Sequence, residues 1–130
     1  MAKIADNIFC DWRRKYVRLT PEEGVRQRTL HYLVSSCGYP MACIGVEIQL
    51  TTGLRADAVV YNQQLQPWMI IEFKAPTVAL SQHTLDQIAV YNRELNVPYL
   101  MLCNGTNTLI ARVDASSLTF LDAVPVYKDK

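Results

Sequence analysis

The segment "RADAVVYNQQLQPWMIIEFKAP" (residues 55–76) contains two apolar runs on either side of a polar stretch. The runs 55–61 and 68–74 predict two strands, and "NQQLQP" between them predicts the turn of an antiparallel hairpin. The second run carries Glu72 and Lys74 among apolar neighbours. An ionised carboxylate in an apolar setting costs several kcal/mol unless it is paired or bound to a metal.

The register of this hairpin decides which charges meet. Counting outward from the middle of the turn places Asp57 directly opposite Glu72. Because side chains alternate along a strand, Glu72 and Lys74 should share one face with Trp68 and Ile70. Like charges that lie opposite each other on a sheet repel. Two buried carboxylates roughly 5 Å apart beside a lysine therefore form an arrangement that a cation would neutralise.

Hydrolysis of a phosphodiester with Mg²⁺ is the chemistry that fits these residues, with Mn²⁺ as a substitute ion. Mg²⁺ is a hard cation that takes carboxylate oxygens and keeps several waters. It polarises a phosphoryl oxygen and lowers the pKa of a bound water. Lys74 would position that water or stabilise charge in the transition state.

A structural alternative fits the same segment. Glu72 and Lys74 could form an ion pair on an edge strand, with Asp57 near solvent at the start of its own strand. Taken alone, the D…ExK pattern favours this alternative, because such short spacings recur by chance. The rest of the chain therefore has to decide between the two interpretations.

The flanking sequence predicts the other elements of the fold. A first helix should begin after Thr20, with Pro21 at its first position and Glu23 three residues after the cap. The remaining patterns predict a second helix and three further strands, over 81–95, 41–50, 97–105 and 107–114. The order helix, three strands, helix, strand, strand predicts an α/β domain whose mixed sheet has helices on both faces.

Composition and charge bound the class of protein. A chain of 130 residues is expected to form a single domain over 1–130, and its net charge of +1 gives no global field for nucleic acid or membrane. Local basic excess near the amino terminus predicts phosphate contacts from Arg13, Arg14, Lys15 and Arg18, with a solvated face as the alternative.

Cysteine usage and hydropathy give an expectation for the compartment. The four cysteines have no CxxC spacing, which favours small buried hydrophobes in a reducing cytosol over disulfides or zinc ligands. No stretch has the length of a signal peptide or a membrane span. We therefore expect a cytoplasmic protein without a membrane partner.

The hairpin resembles a known nuclease signature. Asp57 followed by "EFK" (72–74) is similar to the PD-(D/E)xK motif, although Ala56 stands where the signature has proline. The predicted order also resembles the restriction-endonuclease-like αβββαβ core of that superfamily. Residues 14–40, the hairpin and residues 81–105 together resemble the amino-terminal nuclease domain of type I restriction enzyme R subunits, over roughly residues 13–113.

The resemblance implies roles for particular residues. It makes Asp57 and Glu72 the metal ligands and Lys74 the catalytic lysine of a DNA-cleaving site. Further candidates come from accessory positions, for which an ordinary structural role is the alternative.

Three accessory positions follow from the same resemblance. Gln87 and Tyr91 match the QxxxY motif of RecB-like members and share one helix face; an ordinary half-exposed face is the alternative. Glu23 matches the acidic residue on the first helix of such nucleases, or it completes a capping box with Thr20. Glu47, which alternates with its neighbours on the first predicted strand, is expected to face the same cleft.

Two functions from different classes remain open at this stage. The first is a small Mg²⁺-dependent DNA endonuclease, and the second is a non-catalytic DNA- or protein-binding module on the same fold. The motor motif GxxxxGK(S/T) does not occur in the sequence, so we expect a stand-alone domain, a relic or part of a different system. DNA is the expected partner, together with a second copy of the chain or other subunits of a restriction system. A purely structural domain ranks last.

Overall fold

The computed structural model describes residues 6–114 and 117–127, except for the side chain of Tyr91. Its two α-helices are α1 (Pro21–Ser35) and α2 (Gln82–Leu95), and a short 3₁₀ helix covers Met41–Cys43. The strands are β1 (Asn7–Cys10), β2 (Lys15–Arg18), β3 (Ile44–Gln49), β4 (Arg55–Tyr61), β5 (Pro67–Phe73), β6 (Tyr99–Cys103), β7 (Thr108–Asp114) and β8 (Ser117–Leu121).

Six of the strands form one mixed sheet in the order β3-β4-β5-β6-β7-β8. Neighbours are antiparallel except β5 and β6, which are parallel because α2 returns the chain across the sheet between them. The mixed α/β fold and its restriction-endonuclease-like core order are confirmed. The sequence did not predict β8, nor the separate hairpin that β1 and β2 form before α1.

Each face of the sheet carries its own apolar core. The α1-side core joins Leu30 and Leu33 of α1 to Ile71 and Phe73 of β5. The α2-side core is built from Leu85, Ile88, Val59, Ile70 and Leu100. Truncating one such fully buried leucine to alanine typically costs about 2–5 kcal/mol, so these two cores hold both helices against the sheet.

The β4–β5 hairpin has the register counted from the sequence. Its pairs are Ala58 with Ile71, Val59 with Ile70 and Val60 with Met69. The register shifts near the turn, from Val60 paired with Met69 to Tyr61 paired with Pro67. This irregularity leaves Trp68 as an extra residue in β5 and reverses the face of the sheet on which it lies. Trp68 consequently packs with Tyr39 against the α1-side core, so the prediction that Trp68 shares a face with Ile70 is wrong.

The amino-terminal end of α1 is capped as predicted. Thr20 is the N-cap residue, its Oγ1 accepts a hydrogen bond from the Glu23 backbone N–H at 3.1 Å, and Pro21 occupies the first turn. Charged residues then enter the buried stripe of this helix, because Glu23, Arg26, Leu30 and Leu33 follow one another at three- and four-residue intervals. This stripe faces the sheet where β3, β4 and β5 adjoin.

The four cysteines are free, with Cys10 and Cys103 buried and Cys37 and Cys43 partly buried. Neither helix of the described part of the chain is long and apolar enough to cross a membrane.

Candidate metal centre

Three polar residues of the nuclease-like pattern meet near the carboxyl end of β5. Asp57 lies close to the start of β4, Glu72 lies in β5, and Lys74 follows the last residue of that strand. The Asp57 Oδ2 accepts a hydrogen bond from the Phe73 N–H at 2.9 Å. Lys74 donates its backbone N–H to the carbonyl of Cys103 at 2.9 Å, which extends the pairing of β5 with β6 beyond Glu72. We call Asp57 and Glu72 the acidic pair.

A local distortion of β3 and β4 directs Asp57 toward α1. The register pairs on either side of it are Val46 with Ala58 and Ile48 with Ala56. The first of these pairs packs in the α1-side core and the second in the α2-side core, so alternation reverses at Glu47 and Asp57. Glu47 adopts a left-handed backbone with φ of 54°, which costs roughly 1–2 kcal/mol for a non-glycine residue.

The distortion changes what Asp57 contacts. Strict alternation would place Asp57 on the α2 side with Val59. Instead its Oδ1 lies 3.6 Å from Nη2 of Arg26, a buried residue of α1 whose guanidinium also lies over the ring of Phe73. Asp57 therefore lies toward α1, next to Arg26.

Glu72 carries an uncompensated buried oxygen. Its Oε2 is buried and has no hydrogen-bond partner. Burial, the negative charge of Asp57 and a hydrogen bond between the two carboxyl groups raise the pKa of Glu72 to about 9, against a smaller opposing effect of Lys74. A group in this position is neutral near pH 7 until a positive charge arrives beside it.

The structural alternative does not match this geometry. Within the described residues no ion pair joins Glu72 to Lys74, and β5 lies in the interior of the sheet rather than at its edge. Lys74 is near enough to affect the Glu72 pKa without being its salt-bridge partner.

A second pair of carboxylates, Glu23 and Glu47, is bound by arginines, and we call it the arginine-bound pair. Arg13 donates to Glu23 at 2.6 Å and lies 3.3 Å from Glu47. Arg26 approaches Glu47 at 3.3 Å and Glu23 at 3.6 Å. Burial alone would raise the pKa of Glu47, but these arginines and Arg55 hold it below its ordinary value.

This network bears on two predictions. Glu23 accepts hydrogen bonds from Arg13 and from Gln27 at 2.8 Å, so its carboxylate does not complete the capping box, and its role as an accessory acidic residue stays a prediction. Arg13 is buried among these carboxylates with 14% of its side chain exposed, which removes it from the predicted set of phosphate contacts. The expectation that Glu47 faces the same cleft agrees with its contact to Arg26, which also contacts Asp57.

Sequence reasoning missed Glu22 and Arg26. The pKa of Glu22 is raised by partial burial and by the charge of Asp57, while Arg26 and Lys74 oppose the shift, so Glu22 is a helical acid near Asp57. The signal for Arg26 was its position in the apolar stripe of α1, four residues before Leu30. A basic residue inside such a stripe requires a buried carboxylate partner.

The accessory pair on α2 remains a prediction. Gln87 is exposed, and none of the hydrogen bonds in the described part of the chain joins it to Asp57, Glu72 or Lys74. The side chain of Tyr91 lies outside the described residues.

The donor set of the acidic pair fits one kind of metal ion. No group of three or more His, Cys, Asp or Glu side chains suited to a metal occurs among residues 6–114 and 117–127. Two carboxylates with an unpartnered buried oxygen fit a hard cation such as Mg²⁺, which is bound through one or two carboxylates and retains several waters. An all-protein cage of the zinc or calcium type does not fit.

The chain matches a model of a known protein family. A sequence model of the family described as type I restriction enzyme R protein N terminus (HSDR_N) matches residues 21–125, which include α1, the acidic pair, Lys74 and α2. No curated protein matches the chain.

Proposed function

We propose that this chain, which belongs to the type I restriction enzyme R protein N-terminus family, is a nuclease domain that hydrolyses DNA phosphodiester bonds with Mg²⁺. Family membership supports a restriction-system, nuclease-like domain. The observation that carries the catalytic part of the proposal is the buried, unpartnered Oε2 of Glu72 beside Asp57. A domain without a ligand at this point gains nothing from opposed buried carboxylates.

Asp57, Glu72 and Lys74 have different roles in this proposal. Asp57 and Glu72 hold the ion, and the shared positive charge keeps Glu72 ionised despite its burial. When bound, Mg²⁺ polarises a phosphoryl oxygen and lowers the pKa of a water. Lys74 stabilises negative charge that develops on the scissile phosphate or positions the attacking water. The hydrogen bond from Phe73 fixes Oδ2 of Asp57, while Oδ1 lies 3.6 Å from Arg26.

Arg26 has a positioning role in this proposal. It lies 3.6 Å from Asp57 and is itself held by the arginine-bound pair. This contact compensates part of the Asp57 charge, which leaves Glu72 as the residue that depends most on the ion.

A matched pair of aspartates tests the proposal. Purified protein should cleave DNA in Mg²⁺ or Mn²⁺ and not in chelator, and Asp57→Asn should reduce cleavage to background. Asp114→Asn is the control, because Asp114 is 55% exposed at the far end of β7, where it pairs only with Arg112 at 3.6 Å in the described structure. Equal cleavage by wild type and Asp57→Asn would contradict the proposal. Loss of cleavage in both Asp57→Asn and Asp114→Asn would also contradict it.

The second candidate is a non-catalytic DNA- or protein-binding module. The contact between Arg26 and Asp57 favours it, because it supplies a counter-charge to Asp57 without any metal. This candidate predicts DNA binding that is unchanged by chelator and by Asp57→Asn, with no cleavage of any DNA tested.

A further inference from the structure

The outward face of the β1–β2 hairpin combines exposed aromatic and basic side chains. The strands pair Phe9 with Tyr16 and Asn7 with Arg18, so these four residues point to one side. The two rings contact each other edge to face, with centroids 5.2 Å apart. Tyr16 is nevertheless 71% exposed, and Phe9 is 41% exposed. The opposite face, with Cys10 fully buried, packs against the protein.

Basic residues outnumber acidic ones on this hairpin, although the exposed Asp6 precedes β1. Arg14, Lys15 and Arg18 are exposed, and no ion pair in the described ranges involves any of them. The nearby Asp11 is directed to His31, at 3.3 Å. Arg18 therefore lies on the aromatic face and Arg14 at the turn beside it, whereas Lys15 pairs with Cys10 and belongs to the opposite face.

The hairpin is fixed beside the candidate metal centre. Its turn places Arg13 against Glu23 and Glu47, and the backbone N–H and Nε of Arg13 both donate to Cys10 Sγ at 3.3 and 3.2 Å. Glu47 in turn contacts Arg26, which contacts Asp57. Only two arginine side chains and one carboxylate separate the hairpin turn from the acidic pair.

We propose that this outward face, formed by Phe9, Tyr16 and Arg18 and flanked by Arg14, binds single-stranded DNA beside the candidate metal centre. The inference rests on the proposed function, because it assigns the hairpin to the same substrate. Exposed aromatic rings among unpaired cations form a stacking platform for bases with phosphate contacts around it. Bases within a duplex are already stacked on each other, so a ring that projects from a surface selects an unpaired segment.

Two matched pairs of variants test this inference in chelator, where no cleavage occurs. The probes are a fluorescently labelled oligothymidylate and a blunt duplex, followed by anisotropy over a range of salt concentrations. Tyr16→Ala is compared with Phe120→Ala, which removes an aromatic side chain that is 55% exposed on β8. Arg18→Gln is compared with Arg112→Gln, which removes an exposed cation on β7.

The expected results separate stacking from charge. Tyr16→Ala should weaken binding of the single strand about 5- to 100-fold, the range of one lost base stack, and should affect the duplex less. Arg18→Gln should lower the slope of log affinity against log salt by about 0.7, the contribution of one phosphate contact on a single strand. Both control variants should bind like the wild type.

Three results would overturn the inference. They are a wild type that does not bind the single strand, a Tyr16→Ala variant that binds it as tightly as the wild type does, and equal losses of affinity for it in Tyr16→Ala and Phe120→Ala. These failures are distinct from failure of the proposed function. Tyr16→Ala keeps the acidic pair, so its melting temperature should still rise with Mn²⁺ even where its DNA binding is lost. An absence of any Mn²⁺ effect in the wild type would instead count against the proposed function.

Discussion

Two pairs of carboxylates lie close together in this protein and differ in what neutralises them. The arginine-bound pair, Glu23 and Glu47, meets three arginines at distances from 2.6 to 3.6 Å. The acidic pair has one arginine at 3.6 Å from Asp57, and one buried oxygen of Glu72 has no hydrogen-bond partner. Carboxyl groups are thus compensated by arginines in one place, and one of them is left uncompensated in the other.

The difference distinguishes a structural role from a ligand-binding role. A buried ion pair is neutral as a unit, and removing one partner is costly because the other charge remains buried. An uncompensated carboxyl group avoids that cost by staying protonated, and a bound cation would allow it to ionise. The arginine-bound pair should therefore control stability, whereas the acidic pair should control response to metal.

The largest expected change in stability comes from the cation that both pairs share. Arg26→Met removes a buried guanidinium that contacts Glu23, Glu47 and Asp57, and should lower the free energy of unfolding by about 3–5 kcal/mol. Chemical denaturation monitored by circular dichroism measures this change in the free energy of unfolding.

Arg55→Met is the matched control for that variant. Arg55 also pairs with Glu47, at 3.4 Å, but its side chain is 58% exposed, so its removal should cost at most about 1 kcal/mol. Equal losses of unfolding free energy in Arg26→Met and Arg55→Met would show that the strength of these ion pairs does not depend on burial. The comparison between the two carboxylate pairs would then fail.

A smaller effect is expected from the pH dependence of the arginine-bound pair. The pKa of Glu47 is held below its ordinary value of 4.5, although burial alone would raise it. A lowered folded-state pKa contributes stability above the unfolded pKa, and this contribution is lost as pH falls through the folded pKa. The stability difference between wild type and Glu47→Gln should therefore be largest near neutral pH and shrink below about pH 4.5. A stability difference between wild type and Glu47→Gln that stays constant down to acidic pH would contradict the lowered pKa of Glu47.

The sequence predicted the elements that depend on local patterns. Thr20 and Pro21 marked the start of α1, and the polar turn fixed the inner register of the β4–β5 hairpin. Hydrophobic periodicity located α2 and the central strands to within a few residues. These features follow from short-range chemistry, which a single sequence contains.

The contacts of the candidate site depended on features that no local pattern shows. The reversal of faces at Glu47 and Asp57 arises between two paired strands, and strict alternation gives the opposite side for Asp57. The β1–β2 hairpin has only four residues in each strand, too few for a clear alternation signal, yet it places Arg13 against Glu23. The candidate ligands could therefore be named from the sequence, but their counter-ions could not.

Thermal unfolding of wild type and Glu72→Gln, in chelator and in Mg²⁺ or Mn²⁺, tests the central claim most directly. In chelator near pH 7, Glu72→Gln should melt at or above the wild-type temperature, because the amide replaces a carboxyl group that is already neutral and has one buried oxygen without a partner. Metal should raise the wild-type melting temperature, since a ligand at about 100 times its Kd stabilises the native state by roughly 2.7 kcal/mol, and it should leave Glu72→Gln unchanged. A wild type that melts at the same temperature with and without metal, or a Glu72→Gln variant that melts far lower in chelator, would contradict the assignment of Glu72 as a metal ligand.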